Sequence, residues 1–561
     1  MKKKVVVIVG AGPSGLVALK EMLEKGHDAT IIEKSGVIGG VFSTLRESSY
    51  DALYLTISNV FMAYSDFPCE EDYIKYSKKE EYAVYLERYA AHFGLLDRIK
   101  FNTTVEAATL EGETWRIKCS DGEVSADSLI VCTGSNQVPK RPRDFRSVRG
   151  KVVHSSQFQN ADAFKGERVL IVGTGESASD VAPATVWARR PFILAPRYTA
   201  RHITKPGFDE YLCMQTEKMW RECYVGDFLE CQTTSRAINA LPLWMYSMVR
   251  QMGWKIMASD FSNKYLEFLA YPGVDKSVYL RADQAGWVTK NSRISEMAGR
   301  GSLEVVVAQN LRVEGKTVTF SDVLVDSNGE RNASRRRQRL RHDCPLHGYT
   351  NDFDWIRTEQ KTGALAPGLS TAGLPGGIPQ TSELCARTPA PVVGRARAPA
   401  NIAEVTKTES EAETRYYVLS PNLTSLCDWP SFASSLTAMI GCEPPVPWLV
   451  FSPSKWLKYW LYPMWPCWYR LKGPGAKPEV FDQVMDRFPV IGSKVSWTPS
   501  RSITIPFSVV QKFFVNTMFF LFKPFSRLPG YHGFPTLYNK SKLNILHGYK
   551  MKVKSLFSFA M

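Results

Sequence analysis

Two stretches of the chain repeat one order of apolar and polar positions. The first opens with Val5 to Val9, five β-branched residues in a row. An unbroken run of this kind suits a central parallel strand covered on both faces; a half-exposed strand would alternate. Leu16 to Lys25 then shows helical spacing, and Ala29 to Ile32 reads as a second strand. Asp127 to Thr133 is another apolar run, closing on Gly134. The order returns at Arg168 to Val172, a buried strand, followed by a helical stretch and by a strand over Pro191 to Ala195. Strands alternating with helices predict the α/β class. Two later stretches break the pattern. Residues 356–415 show neither period and contain no Phe, Trp or Tyr, although aromatics make up 12% of the chain. Ile503 to Phe522 is an apolar run of about 20 residues, long enough in principle to span a bilayer.

Glycines join each first strand to its helix. Gly10-Ala11-Gly12-Pro13-Ser14-Gly15 follows Val9 directly. In that pattern Gly10 makes the tight turn, Gly12 lets a pyrophosphate approach the backbone at a helix N-terminus, and Gly15 lets helix and strand pack closely. Glu33, with Lys34 beside it, ends the second strand 23 residues after Gly10, where a carboxylate accepts from ribose hydroxyls and disfavours a 2′-phosphate. Gly39-Gly40-Val41-Phe42 adds paired glycines that admit a bulky cofactor, which points to the long body of FAD. Thr133-Gly134 is where such a fold returns the chain to the nucleotide, with an ordinary strand-ending turn as the alternative. The second block carries Gly173-Thr174-Gly175-Glu176-Ser177-Ala178, with Ala178 in place of the third glycine. Its next strand leads not to an acid but to Arg197, with Arg201 close behind. An arginine fork there matches a 2′-phosphate, although a solvated charge at a strand end would look the same. The expected fold is α/β with two Rossmann-like dinucleotide-binding domains, FAD in the first and NADPH in the second.

Composition changes this picture little. Of 561 residues 44% are apolar, enough for two to four domains. The net charge is +15, but Arg331 to Arg341 alone supplies six arginines, so the basicity is partly local. Nucleic acid is not the expected partner. The eleven cysteines are scattered without a C-x-x-C pair, which argues for free thiols in a reducing, intracellular compartment, no metal cluster and no disulfide framework. The N-terminal apolar run passes straight into glycines, so it reads as a strand and not as a signal peptide. No Ser-His-Asp set or carboxylate pair stands at the expected places.

The crossing between the blocks is Val148-Arg149-Gly150-Lys151-Val152-Val153-His154-Ser155-Ser156-Gln157-Phe158. It resembles the F-x-G-x-x-x-H-x-x-x-(F/Y) fingerprint of the flavin-containing monooxygenases, with Val148 for the leading Phe. Tyr64-Ser65-Asp66-Phe67-Pro68 resembles that family's segment beside the flavin. The resemblance covers residues 1–320 and returns weakly near Tyr349 and from Tyr416 to Pro478. It implies that the NADPH domain is inserted into the FAD domain, and that a C4a-hydroperoxyflavin oxygenates a soft nucleophile, an amine nitrogen or sulfide sulfur, with O2 as co-substrate. Gly150, His154 and Phe158 would link the two sites, His154 either near the nicotinamide or satisfied inside a packed hinge. Asn59 is the candidate catalytic amide near the activated oxygen, with a turn-forming role as the alternative. Baeyer–Villiger enzymes rank second, because Phe158-Gln159 does not fit their pattern. A flavin-dependent NADPH oxidase or reductase and a degenerate cofactor-binding remnant are the other readings.

The expected organisation is residues 1–152 as the first part of the FAD domain, 153–320 as the inserted NADPH domain, and 416–478 as the remainder of the FAD domain. Residues 321–415 form an anomalous segment between them, either a disordered insertion with a basic arm or sequence that replaces genuine fold. A hydrophobic strand expected before His347-Gly348-Tyr349 is missing from the sequence pattern. Residues 479–561 form a tail in which 503–522 reads as an interfacial membrane anchor, facing the cytoplasm on an endomembrane, or as buried core.

Overall fold

The structure is a computed structural model. It describes most of residues 3–134 and 151–184, backbone strands between 192 and 357 and between 417 and 427, Glu383, Cys442, and most of 466–480. The run β1 (Val5–Val9) leads through the first glycine turn into α1 (Pro13–Glu24), and β2 (Asp28–Ile32) follows. Helix α1 starts three residues before the apolar spacing indicates, because Pro13 stands at its first position with φ already suited to a helix. Gly26, at φ +80°, ends it. Then come α2 (Asn59–Met62), α3 (Lys79–His92) and β3 (Ile99–Lys100). An antiparallel meander of β4 (Val105–Glu111), β5 (Thr114–Cys119) and β6 (Gly122–Ala126) precedes β7 (Ser128–Val131).

The first sheet is parallel, in the order β3-β2-β1-β7. Its two faces explain the unbroken run. Val6 and Ile8 pack with α1 and α3 residues such as Leu16, Leu19 and Tyr89, whereas Val7 and Val9 pack with Ala108, Trp115 and Ile117 of the meander. Full burial of each such side chain contributes about 1.5–3 kcal/mol, so a polar residue on either face would be costly.

The chain crosses through β8 (Val138–Pro139) and β9 (Lys151–Val152) to β10 (Val169–Val172), α4 (Glu176–Ala184) and β11 (Phe192–Ala195). Short strands β12 (Arg201–His202) and β13 (Val288–Thr289) pair with each other. Next are β14 (Glu304–Glu314), β15 (Thr317–Val325), β16 (Arg331–Arg339) and β17 (His342–Pro345). The second sheet runs β16-β15-β14-β11-β10-β17-β9, parallel from β14 to β9 and antiparallel at β14-β15-β16.

This departs from the expectation for 321–415. The arginine run forms an edge strand, and His342–Pro345 supplies a parallel strand beside β10 just before His347. Strand pairing is made by backbone groups, so it needs no aromatic or apolar pattern to form. The second sheet therefore extends to residue 345, beyond the expected boundary at 320. The chain then returns early to the first unit: β18 (Tyr349–Thr350) pairs with β8 and β19 (Ile356–Arg357) with β4. A hairpin of β20 (Tyr417–Ser420) and β21 (Leu423–Cys427) follows. Trp468 and Tyr469 are buried, and Tyr469 joins the core of the first sheet. Among the described residues no helix is long and apolar enough to cross a membrane; residues 503–522 lie outside them.

Candidate dinucleotide sites

The first glycine turn lies at the carboxyl ends of β1 and β7. Gly10 has φ +103°, and a Cβ there would stand 2.6 Å from the Cys132 carbonyl oxygen. A Cβ on Gly15 would stand 1.8 Å from the Gly10 oxygen, which is how closely helix and strand meet. Gly12 differs. Its backbone is extended, and a Cβ would find nothing of the protein nearer than the Gly40 Cα at 3.8 Å. Gly39 (φ +107°) donates its amide to the Ala11 carbonyl at 2.9 Å, and Gly40 (φ +58°) follows. The two glycine segments thus lie against each other at the head of α1, where a Cβ on Gly40 would stand 3.3 Å from the Gly12 Cα. The first helical bond runs from Leu16 back to Gly12, so the Ser14 and Gly15 amides precede any intrahelical acceptor. Space without a side chain and amides at a helix N-terminus fit a pyrophosphate.

Glu33 is buried behind these segments. Its Oε2 accepts from the Ala11 amide at 2.7 Å, and Oε1 accepts from the Ser35 amide and hydroxyl, both at 2.8 Å. A carboxylate offers about four acceptor positions. Three are filled, which leaves capacity for a ribose hydroxyl while the same group braces the turn. Lys34 and Val41 are exposed at the rim. Phe42 points inward, edge-on to Tyr82 at 5.1 Å, and belongs to the core. Thr133 and Gly134 (φ +75°) leave β7 beside Gly10. Between them and the strand, burial pushes the Cys132 thiol up, so it stays protonated and inert.

Asn59 is buried at the head of α2. The same segment carries Tyr64, whose hydroxyl donates to the Pro13 carbonyl at 2.6 Å, so it braces α1 at its first turn. Burial raises the Tyr64 hydroxyl well above its usual range, which keeps it a neutral donor.

In the second block Gly173 (φ +117°) turns the chain out of β10, and Ala178 is buried against that strand on α4, with Ser177 half-exposed. Arg201 opens β12; Gly175 and Arg197 lie outside the described residues, as does Gly150 of the crossing. His154 is fully buried. Its Nδ1 accepts from the Ser156 amide at 3.1 Å, which places the proton on Nε2, and Gln157 Oε1 accepts from the His154 amide at 3.3 Å. It caps the one-turn helix Ser155–Gln157. Of the two readings of this histidine, the packed cap is the one the structure describes. Phe158 is buried between Tyr50 and Phe164.

One constellation was not expected from the sequence, although Ser65 and Asp66 of the Tyr64–Pro68 motif belong to it. Lys20 and Glu21, on the buried face of α1, meet Asp66, Glu383 and Arg470. Arg470 Nη2 lies 2.8 Å from Glu21, 3.2 Å from Asp66 and 2.9 Å from Glu383, and its Nε donates to Ser65 Oγ at 2.6 Å. Lys20 pairs with Asp66 and, at 3.2 Å, with Glu21, while half-buried Lys477 stands 3.5 Å from Asp66. Burial alone would raise Asp66, but Arg470 and then Lys20 hold its carboxyl at about 2. Burial would lower Lys20, yet Glu21 and Asp66 outweigh it and keep the ammonium charged. The sequence signals were a Lys-Glu pair inside the apolar run Leu16 to Met22 and the Ser65-Asp66 pair of the Tyr64–Pro68 motif.

A family model described as FMO-like, flavin-binding monooxygenase-like, matches residues 2–207. The chain is 28% identical over 532 residues to 4-hydroxybenzoate brominase (decarboxylating) of Marinomonas mediterranea, covering 88% of this chain and 94% of that protein. It is 35% identical over 206 residues to human flavin-containing monooxygenase 1, covering 32% of this chain and 37% of that one. Among solved structures, oxidized steroid monooxygenase bound to NADP aligns with a TM-score of 0.51 at 18% identity, over 78% of this chain and 97% of that chain. This last similarity speaks to the fold.

Proposed function

We propose that this chain, whose residues 2–207 match the flavin-binding monooxygenase-like family model, is an FAD- and NADPH-dependent enzyme that oxygenates a soft nucleophile. The observation that carries the reading is the head of α1, where two segments without side chains, at Gly12 and Gly40, lie against each other beside the first helical amides, with Glu33 behind them. Bound there, FAD would supply the redox chemistry, acceptance of a hydride from NADPH and two-electron transfer to O2. The chain's own residues bind and orient. The Ser14 and Gly15 amides face the pyrophosphate, Glu33 takes a ribose hydroxyl, and Tyr64 braces the helix that carries those amides. In the second site Gly173 and α4 hold the NADPH pyrophosphate, and Arg197 with Arg201 holds its 2′-phosphate. Asn59 offers a buried amide toward the oxygen chemistry.

The choice of nucleophile follows from how closely and how far the relatives match, the brominase at 28% identity over 88% of the chain. The similarity to human flavin-containing monooxygenase 1 spans about a third of the chain, and that to flavin-containing monooxygenase 5 of Rattus norvegicus spans 85% of it at 25% identity. The similarity to the brominase spans 94% of that relative. Bromide is also a soft nucleophile, and its two-electron oxidation by O2 and NADPH gives hypobromous acid, NADP+ and water. Oxidation of bromide with bromination of a phenolic carboxylate is therefore the first substrate reading, and oxygenation of an amine or sulfide is the second. Full-length protein loaded with FAD and given NADPH should consume oxygen and convert 4-hydroxybenzoate to a brominated phenol only when bromide is present. N-oxide or sulfoxide formation from dimethylaniline or a methyl sulfide, with no bromide-dependent product, would select the second reading. A protein that takes up no flavin would end both.

A further inference from the structure

The two glycine turns belong to different sheets, and a buried joint connects the units that carry them. Tyr50 lies between Phe42 and α2, and its hydroxyl donates to Asp180 Oδ2 at 2.7 Å. Asp180 is the fifth residue of α4, the helix that leaves the second glycine turn. Tyr50 is 8% exposed and Asp180 3%. The crossing runs alongside. The Asp51 amide donates to the Gln159 carbonyl at 2.9 Å, Asn160 Nδ2 donates to Asp51 Oδ2 at 3.1 Å, and the Phe158 ring stands 6.2 Å from that of Tyr50. Residues 50–51, the crossing at 158–160 and α4 therefore meet at one place. A phenol donating to a carboxylate makes a charge-assisted, directional bond, and burial strengthens it.

We propose that the Tyr50–Asp180 pair is a positioning device: it holds α4, and with it the second nucleotide, at the distance from the first glycine turn that hydride transfer needs. The inference rests on the FAD and NADPH reading above. In the step concerned, NADPH gives one hydride to FAD, a proton from solvent completes the reduced flavin, and NADP+ remains. Neither residue touches a cofactor; each acts through α4 and the turn at its head. A displacement of about 1 Å in such a geometry can cost about 100-fold in rate.

Tyr50→Phe removes one hydroxyl and keeps the ring against Phe158. Its flavin content and its NADP+ affinity by calorimetry should stay within about twofold of the parent. In anaerobic stopped flow with saturating NADPH, its flavin should be reduced about 10- to 100-fold more slowly. The shift in flavin absorbance on binding NADP+, which reports the approach of the nicotinamide without turnover, should shrink. Asp180→Asn keeps an acceptor oxygen for the phenol and should retain most of the rate. Asp180→Ala should match Tyr50→Phe, and the double variant should be no slower than either; if Asp180→Ala does not fold, the Tyr50→Phe and Asp180→Asn arms decide. A Tyr50→Phe protein reduced at the parental rate with the parental shift overturns the proposal. So does a double variant whose two losses multiply, or a loss confined to flavin binding. A parental protein that binds FAD but is not reduced by NADPH overturns instead the functional reading beneath it.

Discussion

Gly12 and Gly15 are three residues apart and answer to different constraints. The methyl of Gly15→Ala would press on the Gly10 carbonyl oxygen, a backbone atom that cannot swing aside. This variant should lose about 3 kcal/mol or more even as apoprotein. The methyl of Gly12→Ala meets no protein atom within 3.7 Å and strains no dihedral. The apoprotein should therefore melt within about 1 °C of the parent, while flavin retention falls sharply because the methyl occupies the space of the pyrophosphate. Thermal unfolding of both apoproteins, beside flavin absorbance of both holoproteins, separates the cases; equal destabilisation of the two would refute the division. In the second site, Arg197→Ala should raise the NADPH requirement at least tenfold, the equivalent of losing a charge-assisted contact of about 1.5–3 kcal/mol. The rate with NADH should hardly change, and a parent that uses both nucleotides equally would contradict the assignment. The turn geometry at Gly10, Gly15 and Glu33 was legible from spacing, because a strand, three glycines and an acid allow few other arrangements. The partners of Glu33 were not. Ala11 and Ser35 reach its oxygens through turn geometry, which leaves no mark on residue type.

At the scale of elements, the five strands of the two glycine blocks were legible to within one or two residues, since unbroken apolar runs suit a strand covered twice, whereas the meander β4–β6 was not. Helix α1 was the opposite case. A helical wheel sends Lys20 and Glu21 to solvent, yet both are buried, because Arg470, 449 residues beyond Glu21, supplies the missing charge. No local pattern can announce a partner so distant. The ion cluster makes two predictions. Arg470→Met leaves Glu21, Asp66 and Glu383 facing one another with only Lys20 and the half-buried Lys477, and should cost about 3–5 kcal/mol of stability. Asp66 carries the acid dependence. Its folded carboxyl titrates at about 2, below the unfolded value near 3.9. The stability it contributes is fully present above about pH 4 and is lost as the pH falls through about 2, an amount of about 2 kcal/mol. Asp66→Asn should therefore be less stable at neutral pH and show a flatter decline between pH 4 and 2. Parallel acid-unfolding curves for variant and parent would rule this out.

Over the whole molecule, the inserted second sheet was legible because the glycine pattern occurs twice. The way the chain comes home was not: β18, β19, Glu383 and Tyr469 each rejoin the first unit from segments without a readable period. A chain ended after residue 465 keeps every residue of both glycine turns, yet lacks Trp468, Tyr469 and Arg470. It should fail to retain flavin and should be cut readily by protease within residues 13–66; full flavin content in that truncated protein would show that the return is dispensable. The ion cluster also sets a timetable. Ser65 and Arg470 are 405 residues apart, and at about 5–20 residues per second the ribosome needs about 20–80 s to travel between them. Throughout that interval Lys20, Glu21 and Asp66 have left the exit tunnel without the guanidinium that allows them to be enclosed. The half of the protein made first is thus enclosed only when the segment around Arg470 arrives, after the inserted sheet has been synthesised.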